Sequence, residues 1–154
     1  MKLQKDLREF IELLNSVAAK YVIVGGYAVA YHGHPRFTGD IDIFIEASET
    51  NALKMEEVIR RFGFQETGLT ARDFMQPDSI VQLGLPPNRI DLITSLDEVN
   101  FAEAWADRIE ASLDGTPVRV ISKDLLLRNK RASGRARDIA DIEEITGEAG
   151  GDPV

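Results

Sequence analysis

The chain contains no cysteine and only two histidines. Disulfides and thiolate metal sites are therefore excluded, and an all-histidine zinc site has too few ligands. Any resident metal would be held by oxygen, which points to magnesium, manganese or calcium. Positive charge is also in deficit: 18 lysines and arginines face 26 aspartates and glutamates, for a net charge of −8. Broad, salt-driven binding to nucleic acid needs many cations facing phosphates and is disfavoured by that balance. Long hydrophobic runs are missing too. Apolar stretches such as YVIVGGYAVAY, residues 21–31, fall far short of the ~20 residues a membrane-spanning helix requires. The N-terminal MKLQKDLREF has no apolar signal-peptide core, so the expected location is the cytoplasm, with no membrane partner.

The remaining composition is that of a globular protein, with 44% hydrophobic and 29% charged residues. The 154 residues suffice for one domain with a sizeable core. Residues 1–147 are read as that domain and EAGGDPV, 148–154, as a flexible tail. Charge is unevenly spread. From Lys123 to Arg137 six basic residues face a single acid, Asp124, a patch that a small polyanion such as a nucleoside triphosphate could use.

Hydrophobic spacing predicts an amphipathic helix on Leu3, Leu7, Phe10, Leu14, Val17 and Ala18. YVIV, 21–24, reads as a buried strand running into Gly25 and Gly26, followed by a short helix ending at Gly33. His32 and His34 are expected at a helix end and a loop. A strand from Asp40 to Glu46 precedes a helix that Ser48 caps and Gly63 closes. FQETG and SIVQLGL read as strands, RIDLIT from Arg89 to Thr94 as another, and Asp97 to Ala106 as helical. RIEASLDGTPVRV reads as a hairpin about Asp114 and Gly115, and two helices, 122–132 and 135–147, finish the domain. Trp105 is spaced to pack with Phe101. Without regular strand–helix alternation, the expected fold is α+β, α/β by some labels: a mixed sheet flanked by helices.

GDIDIFI, 39–45, is the informative stretch. Strand alternation sends Ile41, Ile43 and Ile45 to one face and Asp40 and Asp42 to the other. Those carboxylates would stand roughly 6.5 Å apart along the strand, so a positive partner is expected near them. Asp91 in RIDLIT belongs to a strand whose Arg89, Asp91 and Ile93 share a face. Were it beside GDIDIFI, three carboxylates would form an oxygen cage for divalent cations. Two such ions about 4 Å apart clamp the attacking and leaving oxygens of a phosphoryl displacement. The Gly25–Gly26 turn adds free backbone N–H groups at a helix start, suited to phosphate.

VIVGGYAVA, RFTGDIDIFI and RIDLIT together resemble the nucleotidyltransferase superfamily of the DNA polymerase beta type: a Gly-Gly or Gly-Ser turn, a carboxylate-x-carboxylate strand and a later single carboxylate. More narrowly the chain is similar to small stand-alone bacterial members, including those related to abortive-infection toxins. The resemblance covers Tyr21 to Thr94, and LLLRNKRASGRARDIADIEEI extends it, with Lys130, Arg135, Arg137, Asp138 and Asp141 similar to a late motif of the toxin-related members. It implies a nucleotidyltransferase-like fold and transfer of a nucleoside monophosphate from an NTP to an acceptor hydroxyl, with pyrophosphate leaving. By position, Asp40, Asp42 and Asp91 would be the catalytic, metal-binding carboxylates for Mg²⁺ or Mn²⁺. Asp91 would also help to activate the acceptor. Gly25, Gly26, Arg36, Thr38 and Lys130 would bind the nucleotide. Where many members have serine after the glycine, this chain has Gly26 and Tyr27, which leaves phosphate affinity to backbone and distant cations.

The acceptor could be a protein, a tRNA end or a small molecule, and a toxin–antitoxin role with a protein partner is compatible with the resemblance. Alternatives are a catalytically silent, antitoxin-like partner-binding protein and a metal-dependent phosphohydrolase or nuclease using the same aspartates.

Overall fold

The structure is a computed structural model and describes residues 3–33 and 39–147. The predicted Arg36, Thr38 and His34 and the 148–154 tail lie outside them. Helix α1 (Lys5–Ser16) leads into strand β1 (Tyr21–Val24), helix α2 (Gly25–His32) and strand β2 (Ile41–Ile45). Helix α3 (Glu49–Phe62) is followed by β3 (Ile80–Leu83), β4 (Ile90–Ile93) and α4 (Phe101–Ala106). The hairpin β5 (Ile109–Leu113) and β6 (Thr116–Val120) precedes α5 (Lys123–Ser133) and α6 (Ala136–Thr146).

The strands form one mixed sheet in the order β3-β4-β2-β1-β6-β5. β2 runs antiparallel to β1 and parallel to β4, and β1 runs parallel to β6. The central β1 is buried along its whole length, as an interior strand of apolar residues must be. Helix α1 buries Leu7, Phe10, Ile11 and Leu14 at helical spacing and packs on α3 and β6. On α3, Ser48 Oγ accepts from the Asn51 N–H at 3.1 Å, and Gly63 ends the helix at a φ of +96°. Asn51 is itself buried and ties two strand ends together. Its side chain donates to the carbonyls of Lys20 at 3.0 Å and Glu46 at 2.9 Å, and accepts from the Lys20 N–H at 2.7 Å. Helix α5 packs against α6 and α2, which carries the late basic run to the sheet's other end.

The α+β expectation holds, with corrections at element ends. Val17 and Ala18 lie beyond α1, Ala18 at a φ of +55°. FQETG is not a strand: Gln65–Thr67 forms a 3₁₀ turn closed by Gly68, and Phe64 packs on Phe62 at 5.3 Å between ring centroids. SIVQLGL pairs only over Ile80–Leu83, because Gly84 turns the chain at a φ of +82°. The helix expected from Asp97 starts at Phe101. Asn100 caps it by accepting from the Glu103 N–H at 2.8 Å, and Leu96 and Val99 close a tight turn before it, with Glu98 at a φ of +60°. Trp105 stacks on Phe101 at 6.0 Å, with the Arg108 guanidinium 3.9 Å over its ring. Among the described residues no helix is long and apolar enough to cross a membrane.

Candidate active site

Parallel pairing of β2 with β4 sets Asp42 directly beside Asp91. Asp40 lies in the bend just before β2 rather than within it. Its Oδ1 accepts from the backbone N–H of Arg89 at 2.9 Å, which fixes it at the same end of the sheet. At that end β1 stops and α2 begins. Gly25, the first residue of α2, has a φ of +63°, and a Cβ there would collide with Asp42 Oδ2 and lie 2.8 Å from its Cγ. The glycine thus makes room for the Asp42 carboxyl against the start of the helix, where negative charge is favoured.

The positive partner expected near the aspartates is Arg89. Its Nε donates to Asp91 Oδ1 at 2.7 Å and its Nη2 to Asp91 Oδ2 at 3.0 Å, a two-pronged hold on one carboxylate. The same Nη2 lies 3.5 Å from Asp40 Oδ2. Among the described residues Asp42 has no such fork. Burial, the charge of Asp91 and a hydrogen-bonding contact with it, and the charge of Asp40 push Asp42 up to about 6, against the opposing pull of Lys130.

Lys130 reaches the site from α5. It is 7% exposed, with Nζ 3.1 Å from Asp141 and 3.4 Å from Asp138. The Asp138 side chain is fully enclosed. It accepts from Arg135 Nε at 2.8 Å and from the Arg135 backbone N–H at 3.1 Å, and these bonds hold it down to about 2. The late aspartates therefore anchor the lysine instead of serving only a helix dipole. The expected basic patch divides: Arg135 and Arg137 border the same cleft as Lys130, while Arg128 turns away to bind Glu103, both contacts at 3.1 Å.

Gly25, Gly26, Asp40, Asp42, Asp91 and Lys130 all line one cleft of about 660 Å³. Sequence reading missed Arg89, although its place two residues before Asp91 on the same strand face was the available signal. It also missed Asn129 and Ser133, which border the cleft from α5 and are tied to Asp97: Asn129 Nδ2 donates to its carbonyl and Ser133 Oγ to its carboxylate, both at 3.1 Å. Nothing in their local spacing marks them, because only the docking of α5 brings them there. His32 is a helix-end residue whose Nε2 donates to the Ile121 carbonyl at 2.7 Å.

The donor chemistry of Asp40, Asp42 and Asp91 suits a hard divalent cation, oxygen throughout. Among the described residues, however, no three metal-ligating side chains converge as a ready-made ion site. The Arg89 guanidinium is the cation already seated on two of the three carboxylates.

Solved structures share this architecture. The antibiotic-resistance factor ANT(2'')-Ia superposes with a TM-score of 0.60 at 14% identity, over 92% of this chain and 81% of its own. A nucleotidyltransferase-type protein of Thermotoga maritima, TM1012, gives 0.59 at 15% identity, over 93% and 91%. The lincosamide antibiotic adenylyltransferase LnuA, solved with lincomycin bound, gives 0.56 at 18% identity, over 96% and 98%. At such identities the likeness is one of fold. No curated protein sequence matches the chain. The family is nonetheless shown by sequence, for a family model spans residues 1–146 and takes in every element that builds the cleft: the chain belongs to the family described as nucleotidyltransferase of unknown function (DUF6036).

Proposed function

We propose that the cleft binds a nucleoside triphosphate together with Mg²⁺ or Mn²⁺ and that the protein transfers the nucleoside monophosphate to an acceptor hydroxyl. The acceptor oxygen bonds to the α-phosphorus, the bond from that phosphorus to the bridging oxygen breaks, and pyrophosphate leaves. The observation that carries this reading is the juxtaposition of Asp42 with Asp91 beside the helix start at Gly25 and Gly26, in a cleft that Lys130 also borders.

Asp40, Asp42 and Asp91 would hold the divalent cations, which when bound supply charge neutralisation and acidify the attacking hydroxyl. Asp91 assists removal of the hydroxyl proton. The backbone N–H groups of Gly25 and Gly26 take phosphate oxygens, and Lys130, Arg135 and Arg137 balance charge developing on pyrophosphate. Arg36 and Thr38 enter on the resemblance alone. An open groove of about 810 Å³ adjoins the cleft across Ser95 and Leu96 and offers a path for the acceptor. Its carboxylates Asp78, Glu98 and Glu103 outnumber Arg128, which favours a neutral or cationic acceptor over a phosphorylated one. The named activities of ANT(2'')-Ia and LnuA make small antibiotics one class to test. The resemblance to toxin-related members adds protein or tRNA hydroxyls and a place in a toxin–antitoxin pair.

A second reading, a partner-binding protein that keeps the fold without the chemistry, draws on the Arg89 fork, which already neutralises Asp91. Thermal shift with each NTP, with and without Mg²⁺, separates the two. A ligand at 100 times its Kd stabilises the native state by about 2.7 kcal/mol. A Mg²⁺-dependent shift supports the transferase, and no shift with any NTP supports the partner-binding protein.

A further inference from the structure

We infer that Arg89 is a resident counter-ion exchanged for the divalent cation when metal and nucleotide enter together. The inference rests on the reading of Asp40, Asp42 and Asp91 as cation ligands.

Three carboxylates crowd one end of the sheet, and among the described residues Arg89 is the cation that binds two of them directly. Both oxygens of Asp91 accept from its fork, at 2.7 and 3.0 Å, so neither faces an incoming ion uncovered. Asp40 divides its oxygens between the Arg89 backbone at 2.9 Å and the guanidinium at 3.5 Å. A metal drawing on Asp91 therefore competes with a charge-assisted pair of bonds and with the guanidinium charge beside them, an energetic toll that lowers affinity for the free ion. The arginine backbone cannot follow the side chain outward. Arg89 immediately precedes β4, and its carbonyl accepts from the Ile41 N–H at 3.0 Å. Only the side chain can turn. Because Arg89 borders the cleft, the turned fork stays beside the space a triphosphate would fill.

The exchange therefore suits a metal–nucleotide complex better than either component alone. The cation takes the carboxylates, and the phosphates take the guanidinium, whose planar fork fits them in two-pronged fashion. Free metal, by contrast, would leave the arginine without an anion.

The test is a Mn²⁺ titration followed by electron paramagnetic resonance at pH 7.5, with and without ATP, on the wild type, Arg89→Gln and Arg89→Lys. Without ATP, Arg89→Gln is expected to bind Mn²⁺ at least about tenfold more tightly than the wild type. Arg89→Lys, which keeps the charge but loses the fork, is expected between them and serves should the glutamine variant fail to fold. With ATP, Mn²⁺ affinity should rise more in the wild type than in Arg89→Gln. If the wild type binds Mn²⁺ in the presence of ATP but neither variant binds the free ion more tightly, the exchange is overturned and the metal reading stands. Binding by none of the three proteins, with or without ATP, overturns both.

Discussion

Gly25 and Asp42 share one volume of space: the carboxyl of the second lies where a side chain on the first would have to go. The glycine also sits at a positive φ, so both backbone and packing demand it. Gly25→Ala is expected to destabilise the protein by about 2–4 kcal/mol, combining backbone strain with overpacking. Urea melts measure the loss. Nucleotide binding should weaken as well, because Asp42 would be pushed off its place; an alanine variant of wild-type stability would contradict this packing.

Asp42→Asn removes a charge that burial and two neighbouring carboxylates oppose, so the fold should be kept. The Mg²⁺-dependent NTP shift and any transfer activity should be lost, with transfer falling by about 10² or more if an anionic ligand to the metal is essential. Circular dichroism and thermal shift on the same preparation check both halves. Retained nucleotide-dependent stabilisation would remove Asp42 from the site.

Asp138 predicts a dependence on pH. Its folded value of about 2 lies below the ordinary 3.8, so ionised Asp138 stabilises the native state. That contribution is fully present above about pH 4 and disappears as pH falls through about 2. Arg135, its first partner, is half exposed, which screens the pair and sets the contribution on the order of 1–2 kcal/mol. Denaturant melts of the wild type and Asp138→Asn should therefore differ clearly at pH 7 and converge towards pH 2. A gap that stays constant would show that the carboxylate acts by shape alone.

Asn51→Ala breaks three hydrogen bonds to the strand ends at Lys20 and Glu46, at the end of the sheet away from Asp42. Losing these part-buried bonds should cost about 2–3 kcal/mol, although the Lys20 carbonyl still accepts from the Glu46 N–H at 3.4 Å. Nucleotide affinity, measured by calorimetry below the melting range, should be unchanged. A parallel loss of affinity would mean that the two ends of β2 are coupled.

What could be read in advance was whatever short-range chemistry dictates. The carboxylate alternation, the glycine turn and the caps at Ser48 and Gly63 each declare themselves within a few residues. The 3₁₀ turn at Gln65–Thr67 was hidden because a short apolar segment beside a glycine has no decisive period. Arg89 was visible as a strand-face neighbour of Asp91 but not as the ligand of Asp40, since that contact crosses between strands. Lys130 posed the opposite problem. In a run of cations it looks like a solvated helix face, and only the docking of α6 encloses it with Asp138 and Asp141.

The pairing of β2 with β4 has a kinetic side. Asp40 and Arg89 meet across 49 residues of chain, and Lys130 arrives from still farther along. Parallel strands cannot be joined by a tight hairpin, so this contact waits on a long loop closure. An N-terminal segment ending after α3 would contain both Asp40 and Asp42 and yet no cleft. Ligand binding during refolding would then report the last long-range docking rather than the first collapse, and nucleotide capture would lag behind the recovery of helix signal.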